Sequence, residues 1–539
     1  MDRDLIRAAY VKSNASVAET ARILGIPRTN LYHYIQKGYL DGLRPKSIAR
    51  VLSEGVKVEG NVEPTETEIR PLPKKEVKRY IITSAQNNTR LNEKVWANLL
   101  VLAAHYKAEI LVGTYTYNLT AYGKSAIKYG TEEHTEDGLW FDERLVPFIE
   151  AGDNKNIQLA PDLVWCGRAN ILPTAERPLS GFETYTGRSS GIFPHAKIAL
   201  ESIPSGKYEK VKMNYTTGTI TQRNYIQKKA GLKAEHHHTY GALVVEIDPQ
   251  GTWFVRQLNA DSSGTIHDLD IKVDKKRLTK GNAVLAINWG DIHVAKRDDT
   301  AYLLSWGEGQ MIDTLKPKYQ FMHDLVDFNS RNHHNKDHYS LFSRFVKGKD
   351  SVEKEMEEVA AFLEWSYRKF CQTVVVDSNH DNAFLKWLQE ADYRTDAVNA
   401  VYFLKAQLAK YQALEDQQSI NMIEWALNRE GHVAKLGIRY LRTDESFVIG
   451  ESIECGMHGH LGPNGSRGGA KPLQKIGRKA NIGHTHSAGI HDGLYVAGVT
   501  GKLDQGYNVG PSSWSQSDIL TYPNGKRAII TKSNGKWRG

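Results

Sequence analysis

The sequence predicts an α/β protein of several domains that begins with a small all-α unit. The chain has 539 residues, which is about three or four times the usual size of one domain. Apolar segments of strand length alternate with segments of helical periodicity over most of its length. In the C-terminal half, two of the apolar segments, Ala283–Ile287 and Val374–Val376, run directly into short motifs rich in Asp, Asn and His. These observations predict an α/β fold whose candidate functional residues lie at the ends of strands.

The composition excludes several classes of protein. Hydrophobic residues make up 40% of the chain and charged residues 24%, which excludes a wholly disordered protein. No uncharged apolar run reaches the roughly 18 residues that a membrane span needs. Met1–Asp4 is charged and lacks the apolar core of an export signal, and three cysteines cannot build a disulfide framework. We therefore expect a cytoplasmic protein with no membrane contact.

Residues 1–48 are predicted to form a helix-turn-helix. The segment Val17–Tyr34 resembles this motif, with Ala21 where the helices cross, Gly25 in the turn and Leu31 locking the second helix. Residues 1–50 hold nine Lys and Arg and four Asp and Glu, a net charge of +5 that favours a polyanionic partner. The residues that would face DNA are Arg28, Thr29, Asn30 and His33. A small three-helix domain that contacts protein is the alternative.

The next two regions are predicted as a linker and a second folded domain. Residues 49–76 hold six Glu and three Pro with few apolar residues, which is typical of a flexible linker. Residues 77–280 open with a strand at Arg79–Thr83, a helix at Asn92–Tyr106 and a strand at Glu109–Tyr115. We expect an α/β or α+β domain, whose role the sequence does not indicate. No internal repeat is visible in the sequence.

The residues that could carry chemistry lie in residues 281–539. Five short motifs follow one another there: Asn288–His293, His323–Asp327, Val374–Asp381, Met457–His460 and Gly483–His486. Each motif alone is weak evidence, because a chain with 20 His contains such patterns by chance. Their order is informative, since strand ends and loops on a sheet scaffold can bring such residues to one rim.

Taken together, the motifs resemble those of the calcineurin-like binuclear metallophosphoesterases. That family shows D-x-H, G-D-x-x-D, G-N-H-D/E, H-G-H and G-H-x-H in this order. The resemblance implies a four-layer β-sandwich flanked by helices for residues 281–539. His323 and Ser378 stand where the family has glycine, which affects loop geometry and leaves the ligands in place. Phe328 stands where phosphoprotein phosphatases of the family carry a phosphate-binding Arg, so phosphodiesterases and nucleases are favoured.

The resemblance also implies a centre of two divalent metal ions. Asp, Asn and His are oxygen and nitrogen ligands that favour Mn, with Fe or Zn as alternatives. One ion would be held by Asp291, His293, Asp324 and His486, and the other by Asp324, Asn379, His458 and His484. In this scheme Asp324 bridges the two ions. Together they would activate a hydroxide that attacks phosphorus in line.

Two further residues are predicted to act beside the metals. By the resemblance, His380 is not a ligand, and it faces the leaving group to stabilise or protonate it. Asp327 would orient His380. His333, His334 and His338 follow the second motif, and we interpret them either as contacts to the scissile phosphate or as a solvated loop.

A basic segment between the last two motifs indicates the substrate. Gly462–Lys479 is rich in glycine and contains no acidic residue, so it could follow a phosphate backbone beside the metals; an ordinary solvated loop is the alternative. Its basic residues are Arg467, Lys471, Lys475, Arg478 and Lys479. Together with the predicted helix-turn-helix, this segment favours DNA as the partner and a metal-dependent deoxyribonuclease as the function.

Several alternatives stay open at this stage. The enzyme could instead be a phosphatase or phosphodiesterase acting on small molecules, or the chain could be a non-catalytic DNA-binding regulator. The combination of features also looks like the DNA-degrading host-takeover proteins of some large tailed phages, which would place the protein in the host cytoplasm. The apolar-rich helix predicted at Val398–Ala413 could cap the site or contact another subunit, so a homo-oligomer is left open.

Overall fold

The chain divides into two compact units, Met1–Glu66 and Thr67–Gly539. The computed structural model describes residues 2–12, 17–26, 31, 34, 37, 67–117, 140–152, 155–331, 337–429 and 431–539. The four residues predicted to contact DNA (Arg28, Thr29, Asn30 and His33) and residues 49–66 of the predicted linker lie outside this part of the chain. Residues 67–76 of that linker are described, and they belong to the second unit.

The described part of the first unit contains two short helices around a small core. The helices are α1 (Arg3–Lys12) and α2 (Val17–Ile23). Ile6, Tyr10, Ala21 and Leu31 are buried together in one apolar cluster. Gly25 follows α2 with a φ of 64°, a conformation that glycine adopts without strain. The two positions that were predicted to lock a helix-turn-helix, Ala21 and Leu31, therefore do pack together.

The second unit is mixed α/β, as the sequence predicts. Its helices are α3 (Glu93–Tyr106), α4 (Val146–Gly152), α5 (Lys229–His237), α6 (Asp299–Trp306), α7 (Met311–Leu315), α8 (His338–Val346), α9 (Val352–Ser366), α10 (Asn382–Glu390), α11 (Ala400–Glu415), α12 (Met422–Asn428) and α13 (Ala470–Leu473). Among the residues that the structure describes, no helix is both long enough and apolar enough to cross a membrane.

Its strands, in chain order, are β1 (Glu68–Ile69), β2 (Lys78–Gln86), β3 (Glu109–Tyr115), β4 (Asn156–Ala160), β5 (Leu163–Cys166), β6 (Ser190–Phe193), β7 (Leu200–Ile203), β8 (Lys212–Thr216), β9 (Gly241–Ile247), β10 (Trp253–Asn259), β11 (Ile266–Asp268), β12 (Ile271–Asp274), β13 (Arg277–Thr279), β14 (Ala286–Asn288), β15 (Tyr319–Met322), β16 (Gln372–Val375), β17 (Arg439–Tyr440), β18 (Val448–Ile449), β19 (Ile453–Glu454), β20 (Lys479–Ile482), β21 (Gly489–His491), β22 (Leu494–Val496), β23 (Ser517–Thr521) and β24 (Arg527–Thr531).

These strands form four sheets. The largest has eleven strands in the order β1-β4-β5-β6-β8-β7-β21-β22-β20-β19-β18. A six-stranded sheet has the order β17-β16-β15-β14-β23-β24, and a four-stranded sheet has the order β10-β9-β2-β3. The fourth sheet consists of β11, β12 and β13.

The large sheet packs against the four- and six-stranded sheets through an apolar core. Along β2, Tyr80 and Ile82 lie in this core with Leu200 of the large sheet, whereas Ile81 points to the opposite face and packs with Leu99 of α3. Successive side chains of a strand point to opposite faces, so one strand serves two cores. Helices cover the outer faces of the four-stranded and six-stranded sheets. Most of the apolar segments therefore form strands that are buried on both faces.

The two halves of the second unit repeat one topology. Strands β10-β9-β2-β3 have the same order and the same pairing directions as β24-β23-β14-β15. In the large sheet, β4-β5-β6-β8-β7 likewise match β18-β19-β20-β22-β21. The halves meet where antiparallel β7 and β21 pair, with Leu200 opposite Ile490 and Glu201 opposite Gly489. The repeat lies in the strand order, which is why the sequence did not reveal it.

This arrangement joins the regions 77–280 and 281–539, which the sequence analysis treated as separate domains. Their strands share the large sheet, and the main-chain amide of Ile529 in β24 donates a hydrogen bond to Gln257 Oε1 in β10 at 2.8 Å. Ile519 and Ile529 lie in the same core cluster as Tyr80 and Leu243. Residue 280 is therefore not a domain boundary, because the two regions bury apolar surface against each other.

We expect the buried ion-pair network of Arg256 to be essential for stability. The Arg256 guanidinium contacts Glu246 at 2.6 Å and Asp268 at 2.8 Å, and all three side chains are buried. Arg256→Leu leaves the buried Asp268 carboxylate without its cation and Glu246 with Arg79 alone, which costs about 3–5 kcal/mol. Thermal unfolding should show a large fall in the melting temperature. Arg394→Leu, at an exposed pair with Asp392, is the control and should leave the melting temperature unchanged.

Candidate metal centre

The predicted metal ligands follow strands whose ends meet at one edge. Strands β14, β15 and β16 are parallel neighbours, and β19 and β20 form a parallel pair in the facing sheet. Parallel strands bring their carboxyl ends to the same side of a sheet. Four of the motifs begin within or directly after one of these strands, and the fourth motif, Met457–His460, begins three residues after the end of β19.

One group of four ligands is tightly packed and fully buried. His486 Nε2 lies 3.2 Å from Asp291 Oδ2 and 3.1 Å from His293 Nε2. His293 Nε2 lies 3.7 Å from Asp324 Oδ2. Two imidazole nitrogens that face each other at 3.1 Å need a cation or a proton between their lone pairs. This group matches the predicted first metal site.

The second group continues from the same aspartate. His458 Nε2 lies 3.3 Å from Asp324 Oδ2 and 3.0 Å from Asn379 Oδ1. The half-buried ring of His484 has its centroid 5.1 Å from that of His458, and its main-chain amide donates to Asp291 Oδ2 at 2.6 Å. Asp324 lies between the two groups. The structure thus brings all seven predicted ligands into one cluster.

The backbone at four of these ligands is strained. His293, Asp324, His484 and His486 have φ values of 50°, 45°, 75° and 56°, in the left-handed region that residues with a Cβ atom avoid. Each such residue costs about 1–2 kcal/mol. Strain of this kind persists where the surrounding structure enforces it and is concentrated at functional sites. No residue pattern around these positions indicates this conformation.

Asp327 supports His380 differently from the prediction. Its carboxylate Oδ1 lies 3.2 Å from Nδ1 of the ligand His293, whereas its main-chain carbonyl lies 3.3 Å from His380 Nδ1. His380 Nδ1 is 3.8 Å from the same carboxylate. The predicted side-chain contact is therefore replaced by a main-chain contact, because the carboxylate fixes a ligand ring. A histidine that binds metal through Nε2 is commonly oriented by a carboxylate on Nδ1.

Ser378 links the second and third motifs. Its hydroxyl donates to Asp381 Oδ2 at 2.9 Å, and Asp381 Oδ1 accepts the main-chain amide of Val326 at 3.0 Å. Burial, reinforced by Asp324, raises the pKa of Asp381 to about 7. The serine that replaces the family glycine thus makes a defined contact of its own.

Three residues that the sequence analysis did not assign also build the site. Asp518 Oδ1 accepts the main-chain amide of Gly290 at 2.9 Å, and Asp518 pairs with buried Lys532 at 2.8 Å. This pair fixes the turn that carries Asp291. The Trp514 ring lies with its centroid 4.2 Å from that of His486, edge to face. Both contacts come from the last 30 residues of the chain, remote from every motif.

The basic segment lies beside the centre. The main-chain amides of Gly468 and Gly469 donate to the carbonyls of His460 and Gly459, which follow His458 directly. The segment contains the short helix α13 and ends where β20 begins. All five predicted DNA-binding side chains here are exposed, namely Arg467, Lys471, Lys475, Arg478 and Lys479. Arg478 also pairs with Glu454 at 3.1 Å, which leaves the other four cations more accessible for a phosphate backbone.

Other residues near the second motif have structural roles. Phe328 is buried between Phe384 and Trp387, so this position presents no cation to the site. His338 begins helix α8, whereas His333 and His334 lie outside the described residues. The region predicted as a cap or subunit contact forms helix α11. Its exposed apolar side chains are Val401, Leu404, Leu408, Tyr411 and Leu414.

The N-terminal half does not repeat the ligands. At the strand ends that correspond in topology it carries Gln86, Tyr115, Arg168 and the pair His195 and Lys197. Both ring nitrogens of His195 contact main-chain groups, and the Lys197 ammonium lies 2.5 Å from Asp492. Among the described residues, every group of His, Cys, Asp and Glu that is close enough to share an ion lies in residues 281–539.

The cluster fits divalent metal ions. The ligand atoms of Asp291, His293, Asp324 and His486 all lie within 4.8 Å of one another. Asp291 Oδ1 and Asp324 Oδ1 are buried with no hydrogen-bond partner among the described residues. Carboxylate oxygens and imidazole nitrogens without a thiolate suit Mn, Fe or Zn. The number of ions and their identity stay predictions.

The same carboxylates control the charge of His458. Burial disfavours the imidazolium, but the negative charges of Asp324 and Asp291 outweigh burial and raise the pKa of His458 to about 9. At His484 burial dominates and lowers the pKa to about 4. In the absence of metal, the proton on His458 therefore neutralises part of the carboxylate charge.

A phage protein is similar to this chain. Protein A1 of Escherichia phage T5 is 43% identical over 477 residues, which cover 86% of this chain and 83% of that protein. This similarity supports a phage origin. No protein-family model matches the sequence, and no solved structure matches the fold. The metallophosphoesterase resemblance thus stays a prediction that rests on the motifs and on the geometry of the site.

We expect metal affinity to rise with pH up to about 9. His458 is protonated below its pKa of about 9 in the metal-free protein, and it must release that proton to bind an ion. The binding constant for Mn²⁺ should therefore rise about tenfold per pH unit between neutral pH and pH 8.5. Calorimetric titrations in buffers with different ionisation enthalpies measure both the affinity and the released proton. An affinity that is constant across this range would contradict the assignment of His458.

Proposed function

The chain belongs to the family of Protein A1 of Escherichia phage T5, and we propose that it is a metal-dependent phosphodiesterase that hydrolyses DNA. The observation that carries the proposal is the convergence of the five motifs on one buried cluster. Such convergence is what a binuclear metallophosphoesterase of the calcineurin-like type requires. It is not required of a protein whose histidines merely fill the surface or the core.

The ligand set supports a binuclear centre. Asp291, His293, Asp324 and His486 would hold one divalent ion, and Asp324, Asn379, His458 and His484 the other. When bound, two such ions lower the pKa of water and stabilise negative charge on a phosphate group. Mn is the ion we favour, with Fe and Zn as alternatives.

Two further residues act beside the metal ligands: Asp327 positions a ligand ring, and His380 transfers a proton. Asp327 holds the His293 ring through Nδ1, so that His293 Nε2 faces the cluster. His380 is half-buried, and Nδ1 is directed to the Asp327 carbonyl, which leaves Nε2 as the atom that protonates the leaving alkoxide. The ring centroids of His380 and His293 are 4.9 Å apart, so the proton donor lies next to the first ligand group.

DNA is the substrate class that the surroundings favour. The segment Gly462–Lys479 begins two residues after His460, and its exposed cations, the first of which is Arg467, offer a path for a phosphate backbone next to the cluster. The predicted helix-turn-helix would add a second DNA contact. We expect the protein to act on DNA in the host cytoplasm, and the exposed apolar face of α11 favours a homo-oligomer.

A small-molecule phosphodiesterase is the alternative with some support. The site itself does not select a polymer, because the metal ligands and His380 would act on any phosphate ester. Digestion of DNA distinguishes the two functions, whereas cleavage of bis-p-nitrophenyl phosphate does not. A non-catalytic DNA-binding regulator would bind duplex DNA without turnover, and it has no need for a complete ligand set.

The first test is cleavage of plasmid DNA by the purified protein. We expect degradation with Mn²⁺ and none after addition of EDTA. Asp324→Ala should reduce cleavage below detection, because both ligand groups lose their shared carboxylate. Intact plasmid after incubation of the wild-type protein with each of Mn²⁺, Fe²⁺ and Zn²⁺ would overturn the proposed function.

His380→Ala separates proton transfer from metal binding. We expect cleavage to slow by about 10²–10⁴-fold while the metal content stays at the wild-type level. His432→Ala, at an exposed histidine remote from the motifs in sequence, is the control and should leave both values unchanged. Equal loss of metal from the His380 and Asp324 variants would contradict the role assigned to His380.

The basic segment can be tested through salt dependence. Replacement of Arg467, Lys471 and Lys475 by alanine should weaken DNA binding and lower the slope of log K against log salt by about two to three. Cleavage at saturating DNA should change little. The matched control removes three exposed lysines elsewhere, Lys354, Lys369 and Lys405. Equal salt slopes in both triple variants would show that the segment does not contact DNA.

A further inference from the structure

A second set of buried polar atoms, without hydrogen-bond partners in the described part of the chain, lies next to the candidate metal cluster. His323 has no solvent exposure, and neither of its ring nitrogens has a hydrogen-bond partner among the described residues. Asp291 Oδ1 and His458 Nδ1, which lie next to His323, share this property, as do Asp324 Oδ1, His460 Nδ1 and His486 Nδ1 of the same motifs. Buried polar groups in folded proteins nearly always have partners, so several unpaired groups in one place indicate a ligand.

Atoms of three of these residues converge on one position. One ligand atom each from Asp291, His323 and His458 lies within 4.8 Å of the others. Asp291 Oδ1 and His458 Nδ1 are 3.8 Å apart, which is too long for a hydrogen bond and suits two atoms that bind one ion. The rings of His323 and His458 have centroids 5.6 Å apart and are tilted by 35°.

His458 and Asp291 belong both to the seven-residue cluster and to the additional position, and each directs a different atom to each of them. His458 directs Nε2 to Asp324 and Asn379, and its Nδ1 remains for the position near His323. Asp291 directs Oδ2 to His486 and to the amide of His484, and its Oδ1 remains for the same position. The additional position therefore takes no ligand atom away from the seven-residue cluster, but His458 must release its remaining ring proton to solvent and bind both ions as an imidazolate.

We propose that Asp291 Oδ1, His323 and His458 Nδ1 form a further metal site, with His323 as a ligand at a position where the resembling family has glycine. One carboxylate and two imidazoles favour a divalent transition ion such as Mn²⁺, Fe²⁺ or Zn²⁺ over Mg²⁺ or Ca²⁺. The site shares two residues with the proposed catalytic cluster and in that respect rests on the proposed function. It provides a reason for histidine at a position where glycine would leave the space open.

The main-chain position of His323 is well defined. Its carbonyl accepts the amide of Ile292 at 3.0 Å, between the first two motifs. Replacement of the side chain should leave this contact intact. The alternative occupant of the position is a buried water molecule, which would satisfy the same atoms without requiring a transition ion.

The test counts metal ions in the full-length protein without DNA. After dialysis against Mn²⁺ and removal of free metal, elemental analysis of His323→Ala should show one Mn²⁺ per chain fewer than the wild type. Co²⁺ loaded in its place should lose one set of visible absorption bands. His432→Ala, at an exposed histidine that belongs to none of the ligand groups, is the control, and its metal content should equal that of the wild type.

Equal metal content in His323→Ala and the wild type would overturn the proposal and assign the position to water. Complete loss of metal from His323→Ala would also overturn it, because His323 would then support the whole cluster. If His323→Ala does not fold, His323→Gly, which has the residue typical of the resembling family, takes its place. A metal count as expected together with no DNA cleavage would overturn the proposed function alone.

Discussion

The burial of two carboxylates next to each other is the constraint on which the structure depends. Asp291 and Asp324 lie in the interior between the large sheet and the six-stranded sheet, and water does not offset their charge. Buried charges of one sign require cations close by. The histidines around the two carboxylates serve this requirement. The strained turns, Asp327 and Asp518 serve it indirectly, because they hold these residues in place. In the metal-free protein the proton on His458 meets part of it, and bound ions would meet the rest.

The sequence was sufficient to predict that the seven candidate ligands lie close together, because each follows a strand that its apolar residues reveal. Asp291 and His293 follow β14, and His484 and His486 follow β20, so strand prediction placed them at sheet edges. It was not sufficient for contacts between remote segments. The hydrogen bond from Gly290 to Asp518, the unpaired ring of His323 and the carboxylate of Asp327 on His293 depend on packing between segments far apart in the chain.

The same limit applied to the fold. The mixed α/β class followed from alternating strand and helix patterns, and it is confirmed. The boundary at residue 280 followed from the start of the motifs, yet β7 pairs with β21 across it. Chemistry-bearing residues mark where function is located and say little about where one packing unit ends. A repeat of strand order is not visible in the sequence when few residues are identical between the two copies.

The β7–β21 contact resembles the interface of a symmetric dimer in which both protomers happen to be on one polypeptide. In a true homodimer, every substitution appears twice, so a loss of ligands would silence both centres together. Covalent connection removes that restriction. One copy can carry Arg168 and Lys197 at strand ends where the other copy has histidines, and can serve as a scaffold, while the other copy keeps its predicted ligands. The asymmetry of this molecule is therefore open to a fused chain and closed to a homodimer.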